Sequence, residues 1–285
     1  SRINGNKHMT KTVLLIGGEG FIGTHLKAKL TQQGHSVDII DKKSNRNIND
    51  EYSFITDVKY SNVVFLAAEA NLRAVRRNPV EAIKTMTSGL MNSLRFYNES
   101  HFTYISSSMV YGNWSSSSGV SESDSRAPLD LYGQLKLAGE SIVKELHTNY
   151  TIIRPTAVYG QDDDPSRVLP KFINLAKNDK ELIVKGYNNS LDFTHVDDVV
   201  QGIILGFDAP VMSSRVYNIS YGRSQPLENV AKYICDKVGS GSVKIELNDF
   251  EYPQRGTMDI TKAKQELGYQ PTHDVYKGVD QLIQG

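Results

Sequence analysis

The chain has 285 residues, enough for one large domain or two unequal ones, with 39% hydrophobic content and 32 basic against 32 acidic side chains. That balance excludes a disordered chain and gives no net field to draw in nucleic acid or an anionic membrane. The one cysteine, Cys235, excludes an intrachain disulfide and fits a reducing, cytoplasmic setting, and no apolar run is long enough to span a bilayer.

Residues 1–8, ahead of Met9, are set aside as an expression remnant. The apolar run Val13-Leu14-Leu15-Ile16, closed by Gly17, predicts a first strand, residues 21–33 a helix, and Val37-Asp38-Ile39-Ile40 a second strand. Further strands are predicted over 62–67, 102–106 and 151–154, separated by helices over 79–99 and 131–147. Continuous rather than alternating hydrophobicity means strands covered on both faces, hence a doubly wound parallel α/β sheet of Rossmann type. Beyond Arg154-Pro155 the pattern loosens into a loop at 160–165, a helix over 169–177 and a short strand over 181–185. Asp197-Asp198 then opens a helix over 199–207, and the tail reads as helix, strand and a final helical pair. The expected division is a dinucleotide-binding domain over 9–159 with a returning segment near 191–208. A smaller α+β lobe for the substrate takes 160–190 and 209–285. The serine run at 115–118 reads as a mobile loop near the site.

Gly17, Gly20 and Gly23 stand at three-residue intervals between the first strand and the first helix. Glycines mark turns everywhere; in this context they let the backbone approach a pyrophosphate, which then rests on the N–H groups of the helix start at Phe21 and Ile22. Asp41, at the end of the second strand, can accept both hydroxyls of the adenosine ribose and would repel a 2′-phosphate, so NAD is the expected cofactor. Lys42, Lys43 and Arg46 stand close enough in sequence to shelter such a phosphate and keep NADP as the alternative.

Tyr132 and Lys136 share a helix face, and the strand before them ends in Ser106-Ser107-Ser108. A lysine ammonium beside a phenol favours the phenolate and lowers the tyrosine pKa toward the range of a general base. Ser107 would hold the reacting hydroxyl against Tyr132. Tyr233 and Lys237 repeat the spacing without a serine triplet, so surroundings and not spacing select the first pair. Cys235 and His195 read as structural, and no metal is called for.

Taken together these motifs resemble the extended short-chain dehydrogenase/reductase superfamily, in particular its nucleotide-sugar epimerases and dehydratases. The matching pieces are Gly17-Gly18-Glu19-Gly20-Phe21-Ile22-Gly23, Leu66-Ala67-Ala68, Ser106 through Gly112, Tyr132 through Lys136, Arg154-Pro155 with Val158-Tyr159-Gly160, Asp192 through Asp198, and Leu267 through Pro271. The resemblance implies Ser107, Tyr132 and Lys136 as catalytic residues, with Ser108 the substitute for Ser107 and a substrate contact. It implies Leu66, Ala67 and Ala68 along the cofactor, Asp57 at the adenine, and Arg255 on the diphosphate of a nucleotide-diphosphate sugar. It also implies a homodimer built on the Tyr-Lys helix and the long helix before it.

Relatives that eliminate water or decarboxylate carry acidic residues where this chain has Ser108 and Met109, which points to 4-epimerisation. Residues 66–79 look most like uronate 4-epimerases. Asp162, Asp163 and Asp164, however, stand where those enzymes grip a carboxylate, which favours a neutral or amino sugar. The alternatives are a reductase or dehydrogenase of nucleotide 4-keto sugars, and a non-catalytic dinucleotide-binding protein. Only a short segment separates Asp41 from Asn62, so the third strand and its helix are expected to be abbreviated.

Overall fold

Val13 to Ile16 are fully buried, as the continuous apolar run requires, and form β1 (Thr12–Ile16) inside a sheet. The structure, a computed structural model, describes residues 10–68, 72–114, 119–187, 189–210, 215–247 and 254–285, so the serine run at 115–118 lies outside the described residues. α1 (Phe21–Gln32) leads to β2 (Ser36–Ile40), parallel to β1 with Thr12 opposite Ser36. Two 3-10 turns follow, Lys42–Ser44 capped by Asp41 and Glu51–Phe54 capped by Asp50. The shortening foreseen at this point is complete: the chain passes directly to β3 (Asn62–Phe65), and among the described residues β2 is the sheet edge. Short polar caps close these turns before a strand can extend.

α2 (Leu72–Arg77), α3 (Pro79–Lys84) and α4 (Leu90–Phe96) take up the predicted long helix, with a π-helical turn at Thr85–Gly89 between the last two. There the Thr87 hydroxyl bonds the Ile83 carbonyl at 2.6 Å, and Gly89 passes so close to Ile48 that a Cβ would meet its side chain at 2.6 Å. β4 (His101–Ile105), a 3-10 turn at Ser108–Tyr111, α5 (Leu131–Leu146) and β5 (Tyr150–Pro155) complete the centre of the sheet. The chain continues through β6 (Val158–Tyr159), α6 (Val168–Lys177), β7 (Glu181–Lys185), β8 (Ser190–Leu191), β9 (Thr194–His195), α7 (Val196–Gly206) and β10 (Val216–Ile219). It ends with β11 (Gln225–Pro226), α8 (Leu227–Val238), β12 (Ser242–Glu246), α9 (Thr261–Leu267) and α10 (Val275–Gln284).

The main sheet runs β10-β5-β4-β3-β1-β2, and every neighbouring pair is parallel. One face packs Leu26, Leu30, Val199 and Ile203 over it; the other packs Leu90, Leu94 and Val143. A separate core unites Leu169 and Phe172 of α6, Leu182 of β7, Val230 and Ile234 of α8, and Val279 of α10. β7 pairs there with β12, which anchors this smaller core apart from the main sheet. Parallel strands place all their carboxyl ends along one edge, and ligands of such sheets bind there.

Candidate active site

The glycine turn lies between the carboxyl ends of β1 and β3. Gly17 has a φ of +78°, and a Cβ on it would lie 2.6 Å from the Ala67 backbone nitrogen, so only glycine lets this turn press against β3's end. At Gly23 a Cβ would strike the Gly18 carbonyl at 2.5 Å, which explains how α1 starts so close under the turn. Gly20, in contrast, has only the Gly17 carbonyl near, at 3.6 Å, so its outer face is open. It caps α1 without a side-chain bond, and no acid stands in the helix's first turn. The N–H groups at Phe21 and Ile22 therefore keep their affinity for an anion, which fits a dinucleotide pyrophosphate.

Asp41 sits beside this turn and fixes it. Its two oxygens accept from the Glu19 and Lys43 backbone nitrogens, each at 3.0 Å. A carboxylate oxygen has a second lone pair, so both remain able to receive ribose hydroxyls. Two of the three cations that might shelter a 2′-phosphate are spent elsewhere: Lys43 Nζ donates to the Glu19 carbonyl at 3.0 Å, and Arg46 donates to the Ile39 and Ser53 carbonyls. Leu66, Ala67 and Ala68 line the end of β3, and Ala68 packs toward Tyr132 and Leu135. Asp57 stands exposed on the loop before β3.

At the end of β4 the three serines face different ways. Ser106 donates to Glu140 at 2.6 Å, Ser107 Oγ accepts from Met109 N at 3.2 Å and faces the Tyr132 phenol, and Ser108 is buried in the 3-10 turn. Tyr132 enters α5 just past its cap, where the Asp130 carboxylate accepts from Gly133 N at 2.8 Å. Lys136, one turn on, is buried; its Nζ donates to the Ile105 carbonyl at 2.7 Å and lies 5.8 Å from the centre of the Tyr132 ring. The sequence thus brings Ser107, Tyr132 and Lys136 together beside Ala68.

Electrostatics differ from the expectation in one respect. Burial pushes the Tyr132 phenol above its ordinary pKa, against downward pulls from the Ser107 hydrogen bond and the Arg167 guanidinium. Lys136 points its ammonium at Ile105, so desolvation rather than the lysine dominates the phenol. Burial lowers Lys136 itself to about 8, and Glu140 opposes that fall.

Arg167, which sequence reasoning missed, stands just before α6, near enough for its charge to pull this phenol down, while its Nε lies 3.7 Å from Asp163. Asp163 is in turn almost fully buried, and burial raises its carboxyl to about 6. The acidic loop is therefore partly neutralised where it meets the site. Arg255 is half-buried on a strap tied to the site: Gln254 N donates to Asn113 Oδ1 at 2.7 Å, and Trp114 Nε1 donates to the Thr257 carbonyl at 3.1 Å. The second Tyr-Lys pair lies in the smaller core, where Tyr233 donates to Asp280 at 2.8 Å and Lys237 faces the same carboxylate.

His195, Asp197 and His273 bring metal-ligating atoms within 4.8 Å of one another. The two imidazoles, however, stack 4.1 Å apart at 17°, so their in-plane lone pairs run side by side instead of converging, and His195 Nδ1 accepts the Asp197 N–H as the cap of α7. The cluster is a helix cap and a packing contact.

A parallel sheet with an open glycine turn, a carboxylate ending β2, and Ser, Tyr and Lys gathered at the end of β4 define a dinucleotide-dependent enzyme of the extended short-chain dehydrogenase type. The chain belongs to the NAD-dependent epimerase/dehydratase family, whose model matches residues 13–220. The family is NAD-dependent, and NAD is accordingly the cofactor of this chain. It is 26% identical to a UDP-glucuronate 4-epimerase of Arabidopsis thaliana, over 99% of this chain and 77% of that protein. It is 28% identical to a UDP-N-acetyl-alpha-D-glucosaminuronate decarboxylase of Bacillus cytotoxicus, over 97% of this chain and 98% of that one. The crystal structure of Thermotoga maritima UDP-glucose 4-epimerase with UDP-glucose superposes with a TM-score of 0.86 at 25% identity, covering 96% of this chain and 97% of that chain. No helix among the described residues is long and apolar enough to cross a membrane.

Proposed function

We propose that the protein is a nucleotide-sugar 4-epimerase that oxidises the sugar at C4 and returns the hydride to the opposite face. NAD, when bound, supplies the hydride acceptor and donor. Tyr132 takes the proton of the C4 hydroxyl, Ser107 holds the same oxygen by a hydrogen bond, and Lys136 stabilises the phenolate. In the return step Tyr132 gives its proton back to the C4 oxygen. Leu66 to Ala68 lie along the cofactor, Asp57 contacts the adenine, Ser108 contacts the sugar, and Arg255 holds the diphosphate, to which a guanidinium is suited. We place the nucleotide sugar between the sheet edge and the smaller core over 160–190 and 209–285.

The observation that carries this reading is the meeting of Ser107 and Tyr132 at the end of β4, with Ser108 and Met109, not acidic residues, following Ser107 directly in the 3-10 turn. Chemistry at C4 that begins and ends with an alcohol needs only these groups. Eliminating water across C5 and C6 needs a further acid. With Arg167 set against Asp163, the nearest loop charges offset one another, which suits a neutral or amino hexose.

The test is a panel of UDP- and dTDP-hexoses incubated with the NAD-loaded protein. Interconversion of C4 epimers with no net change in nicotinamide absorbance supports epimerisation; stoichiometric consumption of added NADH identifies a reductase. We further propose a homodimer through α3 to α5, because Val80, Ile83 and Met91 are exposed on that face at 63%, 42% and 42%. A monomer mass in solution contradicts it.

A further inference from the structure

Between the reacting serine and Arg255 the chain builds a bracket that the proposed chemistry does not use. Ser107 caps the 3-10 turn Ser108–Tyr111, Gly112 turns the backbone at a φ of +75°, and Asn113 and Trp114 follow at once. These two residues grip the segment that carries Arg255 on both of its sides. On one side Asn113 Oδ1 accepts the Gln254 N–H at 2.7 Å, and the Trp114 N–H donates to the Gln254 carbonyl at 3.0 Å. On the other, Trp114 Nε1 donates to the Thr257 carbonyl at 3.1 Å. Arg255 and the buried Gly256 lie between these anchors.

The indole is braced from behind. It meets the buried Tyr111 ring edge-on, with centroids 5.9 Å apart at 69°. The Tyr111 hydroxyl accepts from Arg154 Nη1 at 2.7 Å and donates to Asn218 Oδ1 at 2.7 Å. Arg154 in turn pairs with Glu140, Nη2 to Oε2 at 2.7 Å, and Glu140 Oε1 accepts from Ser106, the neighbour of Ser107. The far end of the segment has supports of its own. Met258 N donates to Asp192 Oδ2 at 3.0 Å, Asn218 Nδ2 donates to the Asp259 carbonyl at 3.1 Å, and the Thr257 carbonyl also receives the Val120 N–H at 3.0 Å. Gln254, next to Arg255, is hydrogen-bonded among the described residues by Asn113 and Trp114 alone. We propose that Asn113 and Trp114 are positioning residues for the substrate: they hold Arg255 at a set span from Ser107, so that a diphosphate gripped at one end brings the sugar C4 hydroxyl to the other. The link from Ser107 to the bracket is one short turn, which makes that span stiff. Such a device acts on how the substrate is bound and aligned, and not on the proton transfer itself.

This inference rests on Arg255 holding the diphosphate, and a double-mutant cycle separates the two claims. Titration calorimetry gives Kd for UDP and for dTDP on NAD-loaded protein in four forms: the parent, Asn113→Ala with Trp114→Phe, Arg255→Ala, and all three changes together. Trp114→Phe keeps a ring against Tyr111 and drops the indole N–H, while Asn113→Ala removes the acceptor for Gln254. The paired change should weaken nucleotide binding by about fivefold or more while Arg255 is present, and by less than about twofold once Arg255 is Ala. In turnover KM for a nucleotide hexose should rise in step, with kcat within about twofold of the parent. Thermal unfolding and NAD retention on the same preparations report the fold, and Asn113→Ala alone, at an exposed residue, replaces the paired change should that not fold. A paired change that weakens binding equally with and without Arg255, or leaves it unmoved, overturns the proposal. Binding that Arg255→Ala leaves unchanged would instead refute the diphosphate role of Arg255 and take the inference with it. Epimerisation stands or falls separately, because the calorimetry needs no turnover.

Discussion

Replacing Tyr132 with Phe separates the chemistry from the fold. The ring stays in its cluster with Val75, Met86 and Leu135, so only the hydroxyl and its interaction with Ser107 are lost. One hydrogen bond is worth about 1 kcal/mol net, and here the loss is offset by no longer burying a polar group. The stability change should stay within about 1 kcal/mol, or roughly 2–4 °C in melting temperature for a chain of this size. The loss of a positioned general acid and base costs about 10²- to 10⁴-fold in rate, equal to roughly 2.7–5.5 kcal/mol in the barrier. The two effects differ enough to be read separately. Turnover is followed by chromatography of the C4 epimers, alongside thermal unfolding and NAD retention on the same preparations. A Phe variant that keeps NAD and its melting temperature, and still turns over within about threefold of the parent, would refute the role of the phenol.

Arg167→Met should shift the acid limb of kcat to higher pH, because the guanidinium now pulls the Tyr132 phenol down; a pH–rate profile that does not move would contradict that coupling. Arg255→Ala should raise KM for nucleotide sugars by about 10- to 100-fold with little change in kcat, the worth of a charge-assisted hydrogen bond, as measured by initial rates. Asp192 is 1% exposed and accepts from Met258 N at 3.0 Å, Ser220 Oγ at 2.9 Å and Gly222 N at 3.2 Å; burial raises its carboxyl from 3.8 to about 6. Since the folded pKa exceeds the unfolded one, its favourable contribution is complete below pH 3.8 and is lost as pH rises through 6. Relative to an Asp192→Asn variant, which lacks this titration, the parent should therefore lose up to roughly 3 kcal/mol between those limits. Urea unfolding of both proteins at pH 4 and pH 7 checks it, and an unchanged difference would contradict it.

Much of the sheet was legible because a parallel strand leaves a plain trace. Val13 to Ile16 and Val63 to Phe65 are apolar without alternation, and both strands lie where expected. The glycine turn and the Tyr132–Lys136 helix were legible for the same reason, since each is encoded within a few adjacent residues. The helix after His195 began three residues earlier than the aspartates suggested, because the imidazole rather than a carboxylate caps it. What stayed hidden is long-range. Nothing near Arg154 in sequence announces Glu140, and only the juxtaposition of β5 with α5 creates their bond. The charge of Arg167 likewise acts on Tyr132 only once the fold has brought the start of α6 toward α5. The rise in the Tyr132 pKa was missed because helical spacing reports a neighbouring charge but not the depth of burial beside it.

The central claim is that one hydrogen leaves sugar C4 and returns to the same carbon within a single active site. A nucleotide hexose carrying deuterium at C4, turned over by the NAD-loaded protein in ordinary water, tests it most directly. The label should remain at C4 of the epimerised product, with a primary isotope effect on kcat where hydride transfer limits the rate. Loss of the deuterium to water, or its appearance in released nicotinamide, would contradict the account.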